Sequence, residues 1–140
     1  MNAFGVISTF CVCYQGTLSI LSSFYIIQDE KSKPSKPIRR VDVRTEDEWK
    51  TFGQPDTKSL GIKTFFITIG QDPGFIDNVK KEINKENQVL VMCAAGGRSE
   101  IAVQLMLKEG YLAHNVSDGF NGNGQDPGWQ NSGLPSVIDS

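Results

Sequence analysis

Cys93 is followed by four small residues and then an arginine, and this spacing marks the part of the chain able to do covalent chemistry. The run reads Cys93-Ala94-Ala95-Gly96-Gly97-Arg98-Ser99. Ala94, Ala95, Gly96 and Gly97 put almost no side chain in the way of the backbone. Successive N–H groups can therefore turn toward one point and form an anion-binding nest at the start of a helix. Such a nest favours a thiolate: a free thiol titrates near ~8.5, and helix N-termini or adjacent cations bring it to roughly 3.5 to 7.5. Arg98 adds a permanent positive charge and a planar fork of donors suited to an oxyanion. The chemistry within reach is nucleophilic attack by sulfur. The plainer alternative is an inert buried thiol in a turn between strand and helix.

The flanking residues supply the elements that would position this loop. Val89 to Met92 is a continuous apolar run, as expected of a strand covered on both faces. After the loop come good helix formers, Glu100 to Glu109, closed by Gly110 as a C-terminal stop. Cys93 then lies at the carboxyl end of a strand, where open α/β sheets bind ligands.

Other stretches read in the same way. Ile38 to Val43 is a strand in which Arg39-Arg40 is unusual; either the pair lies at an exposed start or the strand is short. Thr45-Glu46-Asp47-Glu48 is a capping box opening a helix that carries Trp49 and Phe52. Asp42 and Arg44 share one face of the strand end. They could touch substrate, but a scaffold role is favoured because buried charges need partners. Gly61 to Ile69 is a strand with Phe65, Ile67 and Ile69 on one face. Pro73 opens a helix from Gly74 to Ile83 whose Phe75, Ile76, Val79 and Ile83 align. A last strand spans about His114 to Ser117. His114 is the one histidine of the chain, and its place in that strand or at its start sets it too far from the end bearing Cys93 for a Cys-His pair. Asn115-Val116-Ser117 fits a glycosylation sequon, a chance match without export. Asp118 to Trp129 carries four glycines and is expected to be a flexible loop beside the active site. Gly-Gln-Asp-Pro-Gly occurs at 70–74 and again at 124–128, which is shared turn chemistry rather than a repeat.

Three motifs in order resemble the rhodanese-like sulfurtransferase family. Cys93 to Ser99 is similar to its C-x-x-G-x-R-S active-site loop. Val41-Asp42-Val43-Arg44-Thr45-Glu46-Asp47-Glu48-Trp49 resembles its D-V-R-x-x-x-E-[WY] segment. Gly110-Tyr111, Gly119, Trp129 and Gly133-Leu134-Pro135 resemble its closing run. The similarity covers about residues 17 to 136. The family's Gly-His-Ile-Pro-Gly-Ala segment is absent, and Gly53-Gln54-Pro55-Asp56 stands in its place.

The resemblance implies a three-layer α/β domain with a parallel sheet of about five strands and helices on both faces. It also implies sulfur transfer from a donor such as thiosulfate, through a persulfide on Cys93, to cyanide or a thiol. Cys93 and Arg98 would be catalytic, Ala94, Ala95, Gly96, Gly97 and Ser99 would form the anion loop, and Asp42 and Arg44 would support it. One alternative is a persulfide carrier or sensor with protein partners. A cysteine-dependent phosphatase of related fold is the other, and it would have one more residue between Cys93 and the arginine. Neither a metal nor a cofactor is expected, since no ligand cluster is present and Gly96-Gly97-Arg98-Ser99 lacks the lysine of a phosphate-binding P-loop.

Composition sets the remaining bounds. The 140 residues make one domain, of which the first eight or so are outside the resemblance and could be a targeting remnant. Hydrophobic residues are 39%, and the net charge of -2 without a basic stripe argues against nucleic acid as a partner. Three cysteines form no disulfide framework. Cys11 and Cys13 lie two apart in an expected strand, too far apart and too parallel to bridge. Met1 to Gln28 carries no charge, yet no apolar run is long enough to span a bilayer. Phe10 to Tyr14 reads as a strand, followed by a helix from Thr17 or Ser19 through Ile27. A cytoplasmic location is expected, or a periplasmic or organellar one if the apolar start is a targeting segment.

Overall fold

The computed structural model describes residues 17–18, 37–70 and 74–138. Five parallel strands form the sheet, in the order β1-β6-β5-β2-β4. They are β1 (Thr17–Leu18), β2 (Ile38–Asp42), β4 (Lys63–Phe66), β5 (Gln88–Met92) and β6 (Leu112–Val116), while β3 (Gln54–Pro55) pairs antiparallel with β7 (Ser136–Val137). Three helices complete the described fold: α1 (Glu46–Phe52), α2 (Phe75–Glu82) and α3 (Gly97–Lys108). The strand and helix expected between Phe10 and Ile27, the Cys11–Cys13 pair and Pro73 lie outside the described residues, apart from Thr17 and Leu18.

β5 is central because it is apolar on both faces. Val89 and Val91 join Val41 and Val43 of the β2 segment in a core completed by Phe75, Val79 and Ile83 on one helix and Ala102, Val103 and Met106 on the next. The α2 stripe is the one its sequence spacing predicts, with Ile76 packed at its margin. Leu90 and Met92 point to the other face, against Ile38, Ile62, Val116, Phe120 and Trp129. Residues 119–134 thus serve as packing for the sheet. Burial of a large apolar side chain is worth roughly 1.5–3 kcal/mol, and both sets converge on the strand that ends at Cys93.

Chain order sets where the sheet opens. From β2 the chain steps outward to β4, then crosses back so that β5 lies on the other side of β2. The connections after β2 and β5 therefore leave in opposite directions, and such a switch point is where an open α/β sheet holds its ligand. Val43 N–H donates to Met92 O across this gap at 3.0 Å, keeping the two strand ends together.

Some elements differ from the sequence expectation. β4 stops at Phe66, although Ile67 and Ile69 still donate N–H groups to Asp42 O and Val43 O. β6 begins two residues before His114, because α3 ends in a tight reversal rather than a long loop. In that reversal Gly110 has φ 88°, its N–H reaches Leu107 O, and Tyr111 N–H reaches Met106 O, a Schellman closure. Arg40 is neither at an exposed start nor at a strand end. It sits inside β2, 2% exposed, with donors directed to Asp42, Gln54, Thr57 and Thr64.

Candidate active site

Cys93 lies directly after β5 and is 1% exposed. Gly96 turns the loop with φ 93°, and a Cβ there would stand 2.1 Å from Ser117 O, so the loop can lie against the end of β6 only as glycine. Gly96 N–H donates to Cys93 Sγ at 3.1 Å and the Ser99 hydroxyl lies 3.2 Å from it. Burial is the largest single influence on the thiol and pushes its pKa up. The Ser99 hydroxyl and the backbone N–H groups of Ser99, Ala95 and Gly96 together outweigh burial and hold the pKa below its ordinary value. Of the small residues, Ala95 and Gly96 thus face the sulfur. Ala94 instead offers its carbonyl to Asn121 N–H at 2.9 Å, and Gly97 opens α3 with free space around its Cα.

A second ring of contacts fixes the first. Ser99 Oγ is also 2.5 Å from Asn115 Oδ1, while Asn115 Nδ2 donates to Gly96 O at 3.1 Å and Glu100 Oε2 at 3.0 Å. One hydroxyl has one proton. A neutral Cys93 can donate to Ser99 Oγ while Ser99 donates to Asn115; a thiolate takes the Ser99 proton for itself. Asn115, first met as a glycosylation sequon, is 3% exposed and committed to this loop. Residues 118–129 also do more than flank the site. Phe120 N–H donates to Cys93 O at 2.9 Å, and a Cβ on Gly119 (φ 69°) would stand 2.3 Å from Ala94 O. The segment closes on itself through Trp129 N–H to Gly119 O and Gln130 N–H to Phe120 O, and Gly119, Gly122 and Gly128 serve close approach of backbone to backbone, while Gly124 faces open space.

Arg98 is aimed at a carboxylate of its own chain. Its Nη1 and Nη2 donate to Glu48 Oε2 at 2.7 Å and Oε1 at 2.8 Å, a bidentate pair across the switch point. Glu48 is the third residue of α1, and its Oε2 also receives Thr45 N–H at 3.0 Å and lies 3.1 Å from Thr45 Oγ1. The expected capping box is present and does double duty. Hydrogen bonding by Arg98 brings the Glu48 pKa to about 2, and the same bond raises that of Arg98.

Asp42 and Arg44 are fully buried. Arg44 Nη2 bonds Asp42 Oδ2 at 2.8 Å and Gly53 O at 2.9 Å, and its guanidinium lies 4.7 Å from the centroid of the Phe120 ring. Arg40 Nη1 reaches the same Asp42 oxygen at 3.2 Å. This cluster ties β2 to the turn before β3 and to the 118–129 segment. All three side chains are sealed from solvent, at 3% exposure or less. His114 is buried in mid-strand opposite Leu90, three residues before Cys93 along the neighbouring strand, and burial lowers its pKa. A cavity of about 560 Å³ elsewhere is lined by Gln54, Thr57, Lys58, Thr64, Phe66 and Val137 among others. No cysteine lines it, and Cys93 is not among its walls. Among the described residues no group of side chains could hold a metal ion, and no helix is long and apolar enough to cross a membrane.

Sheet order and the helices around it give the chain a rhodanese-like fold, shared with solved rhodanese-like domain proteins. No family model matches it. An uncharacterised protein of Rickettsia prowazekii, RP600, is 40% identical over 98 residues, which are 68% of this chain and 79% of that protein. The crystal structure of Rv0390 from Mycobacterium tuberculosis superposes with a TM-score of 0.73 at 27% identity, covering 90% of this chain and 99% of that one. A rhodanese-like domain protein from Staphylococcus aureus gives 0.52 at 28%, covering 81% and 92%. Two further solved structures share the fold alone. They are a polysulfide-sulfur transferase homodimer from Wolinella succinogenes (TM-score 0.62, 22% identity, 90% and 80% covered) and a possible tyrosine phosphatase from Rhodopseudomonas palustris (0.53, 20%, 96% and 93%).

Proposed function

We propose that the protein is a sulfurtransferase that carries sulfane sulfur on Cys93. The observation that carries this reading is the pair of donors on Sγ, Gly96 N–H and Ser99 Oγ, in a loop built to hold a thiolate. The thiolate attacks the outer sulfur of a donor such as thiosulfate. A Cys93 S–S bond forms, the donor S–S bond breaks, and sulfite leaves with the bonding electron pair. Cyanide or a thiolate then attacks the outer sulfur of the persulfide, taking it away as thiocyanate or a new persulfide and returning the Cys93 thiolate. Two half-reactions on one enzyme give ping-pong kinetics. The loop N–H groups that receive the thiolate are equally placed for the charged outer sulfur of the persulfide.

The phosphatase reading is weaker on two observations. Only four residues separate Cys93 from Arg98, and the guanidinium that would clamp a phosphoryl group is engaged by Glu48. A carrier that exchanges sulfur with protein partners would use the same loop, and differs in what it accepts from and gives to. The deciding experiment compares wild type with Cys93→Ser in thiosulfate:cyanide transfer and in aryl phosphate hydrolysis. Thiocyanate formation that disappears in the variant, with no phosphate release from either, is the expected result. Phosphate release that depends on Cys93 would reverse the assignment. Wild type that takes sulfur from thiosulfate but passes it to neither cyanide nor small thiols would favour the carrier.

A further inference from the structure

Arg98 is the cation that its place in the loop would assign to the donor, yet the structure gives both ends of its fork to Glu48, at 2.7 and 2.8 Å. The carboxylate is not a casual surface partner. It is held from behind by Thr45 N–H and by the Thr45 hydroxyl, in the first turn of α1. The pair is 26% exposed on the Glu48 side and 38% on the Arg98 side, whereas Cys93 is 1% exposed. Arg98 stands in the same loop as Cys93 and near enough for the two charges to act on one another, so a donor approaching the negative thiolate meets an ion pair whose charge already sums to zero. A doubly charged anion loses the most under those conditions, because desolvation of an ion is costly unless a free opposite charge receives it.

We infer that Glu48 sets the charge class of the sulfur donor, occupying Arg98 so that the site takes small monoanionic or neutral persulfides in preference to the dianion thiosulfate. The inference rests on the sulfurtransferase reading and narrows its donor. The step it describes is balanced: the Cys93 thiolate attacks the terminal sulfur of R–S–SH, a new S–S bond forms to give Cys93–S–SH, the donor's S–S bond breaks, and R–S⁻ leaves with the bonding electron pair and takes a proton from water. Glu48 makes no contact with the reacting atoms in this account. It is a specificity-positioning residue acting through Arg98.

Glu48→Gln is the informative substitution, because glutamine serves as well as glutamate at the third position of a capping box while removing the charge that occupies Arg98. Two donors are compared in wild type and variant, thiosulfate and an uncharged-chain alkyl persulfide, each by the initial rate of persulfide formation on Cys93 against donor concentration. A third readout needs no transfer: protection of Cys93 from iodoacetamide by inorganic sulfate, a dianion that cannot donate sulfur. The expected result is that KM for thiosulfate and the sulfate protection constant both fall by about tenfold in Glu48→Gln, the loss of one opposing charge near the ligand. KM for the alkyl persulfide should change less than twofold. Equal shifts for both donors, or none, with an intact circular dichroism spectrum, would overturn the role of Glu48 and leave sulfur transfer standing. Failure of both donors to load wild-type Cys93 would instead remove the function on which the inference rests. If Glu48→Gln does not fold, Arg98→Lys tests the same point. A lysine cannot hold the bidentate pair, so the sulfate constant should again fall, and an unchanged or weaker one would contradict the proposal.

Discussion

At the scale of single residues, the reactivity of Cys93 rests on donors more than on any cation. The backbone donors belong to the loop itself, whereas the Ser99 hydroxyl can be removed by substitution, at the cost of the donor it gives to Asn115 Oδ1. Ser99→Ala should raise the Cys93 pKa, since the lost donor stabilises the thiolate and burial is then less opposed. The rate of iodoacetamide labelling against pH should move to higher pH, with slower labelling at pH 7; an unmoved profile would assign the thiolate to the backbone alone. Asn115→Leu should act in the opposite sense at first contact, releasing the Ser99 proton toward sulfur, but at a stability cost of about 1–3 kcal/mol, because Gly96 O loses its buried donor. Chemical denaturation measures that cost. The sequence showed Cys93, Gly96 and Ser99 because neighbours in a loop are neighbours in the chain. It did not show Glu48 or Asn115 as partners of that loop. Glu48 lies 50 positions from Arg98 and Asn115 lies 16 from Ser99, and each already had a sufficient local explanation, as a helix cap and as a sequon.

At the scale of elements, apolar spacing predicts α2 well because that helix buries one stripe, whereas α1 buries no residue and is legible only through its capping box. Strands are less legible where polar residues are buried. Arg40 reads as a surface residue until Asp42, Gln54, Thr57 and Thr64 are brought around it, and His114 and Asn115 hide the true start of β6. The 118–129 segment reads as flexible from its glycines, but Gly119 and Gly122 sit where a Cβ would meet backbone, at 2.3 Å from Ala94 O and 2.7 Å from Pro127 O. Gly119→Ala should therefore push this segment off the Cys93 loop. The positive φ and the clash each cost on the order of 1–3 kcal/mol, and Cys93 should label faster with loss of selectivity for sulfur donors. Thr45→Ala tests α1: loss of the cap should cost about 1 kcal/mol, read as a lower melting temperature. Ion pairs at the surface, such as Lys50 with Glu46, should contribute far less.

For the whole molecule, electrostatics are organised in two groups: a sealed cluster of Arg40, Asp42 and Arg44, and the half-exposed Glu48–Arg98 pair. Asp42 is shared by both arginines, so Asp42→Asn leaves two buried cations without their countercharge and should cost roughly 3–5 kcal/mol. The half-exposed pair should show in acid. Glu48, bonded by Arg98, titrates at about 2 instead of 4.5. Since the folded pKa is the lower one, its stabilisation is complete above pH 4.5 and disappears as pH falls through 2. Solvent screening limits it to on the order of 1 kcal/mol, and Glu48→Gln should remove that part of the acid transition. All of this serves one claim, that sulfur resides on Cys93 between donor and acceptor. Intact-mass spectrometry after brief exposure to thiosulfate or to an alkyl persulfide, followed by peptide mapping, tests it most directly. One added sulfur atom is expected on Cys93, removed by cyanide and absent from Cys93→Ser. An unchanged mass with both donors, or added sulfur on Cys11 or Cys13 while Cys93 stays bare, would contradict it.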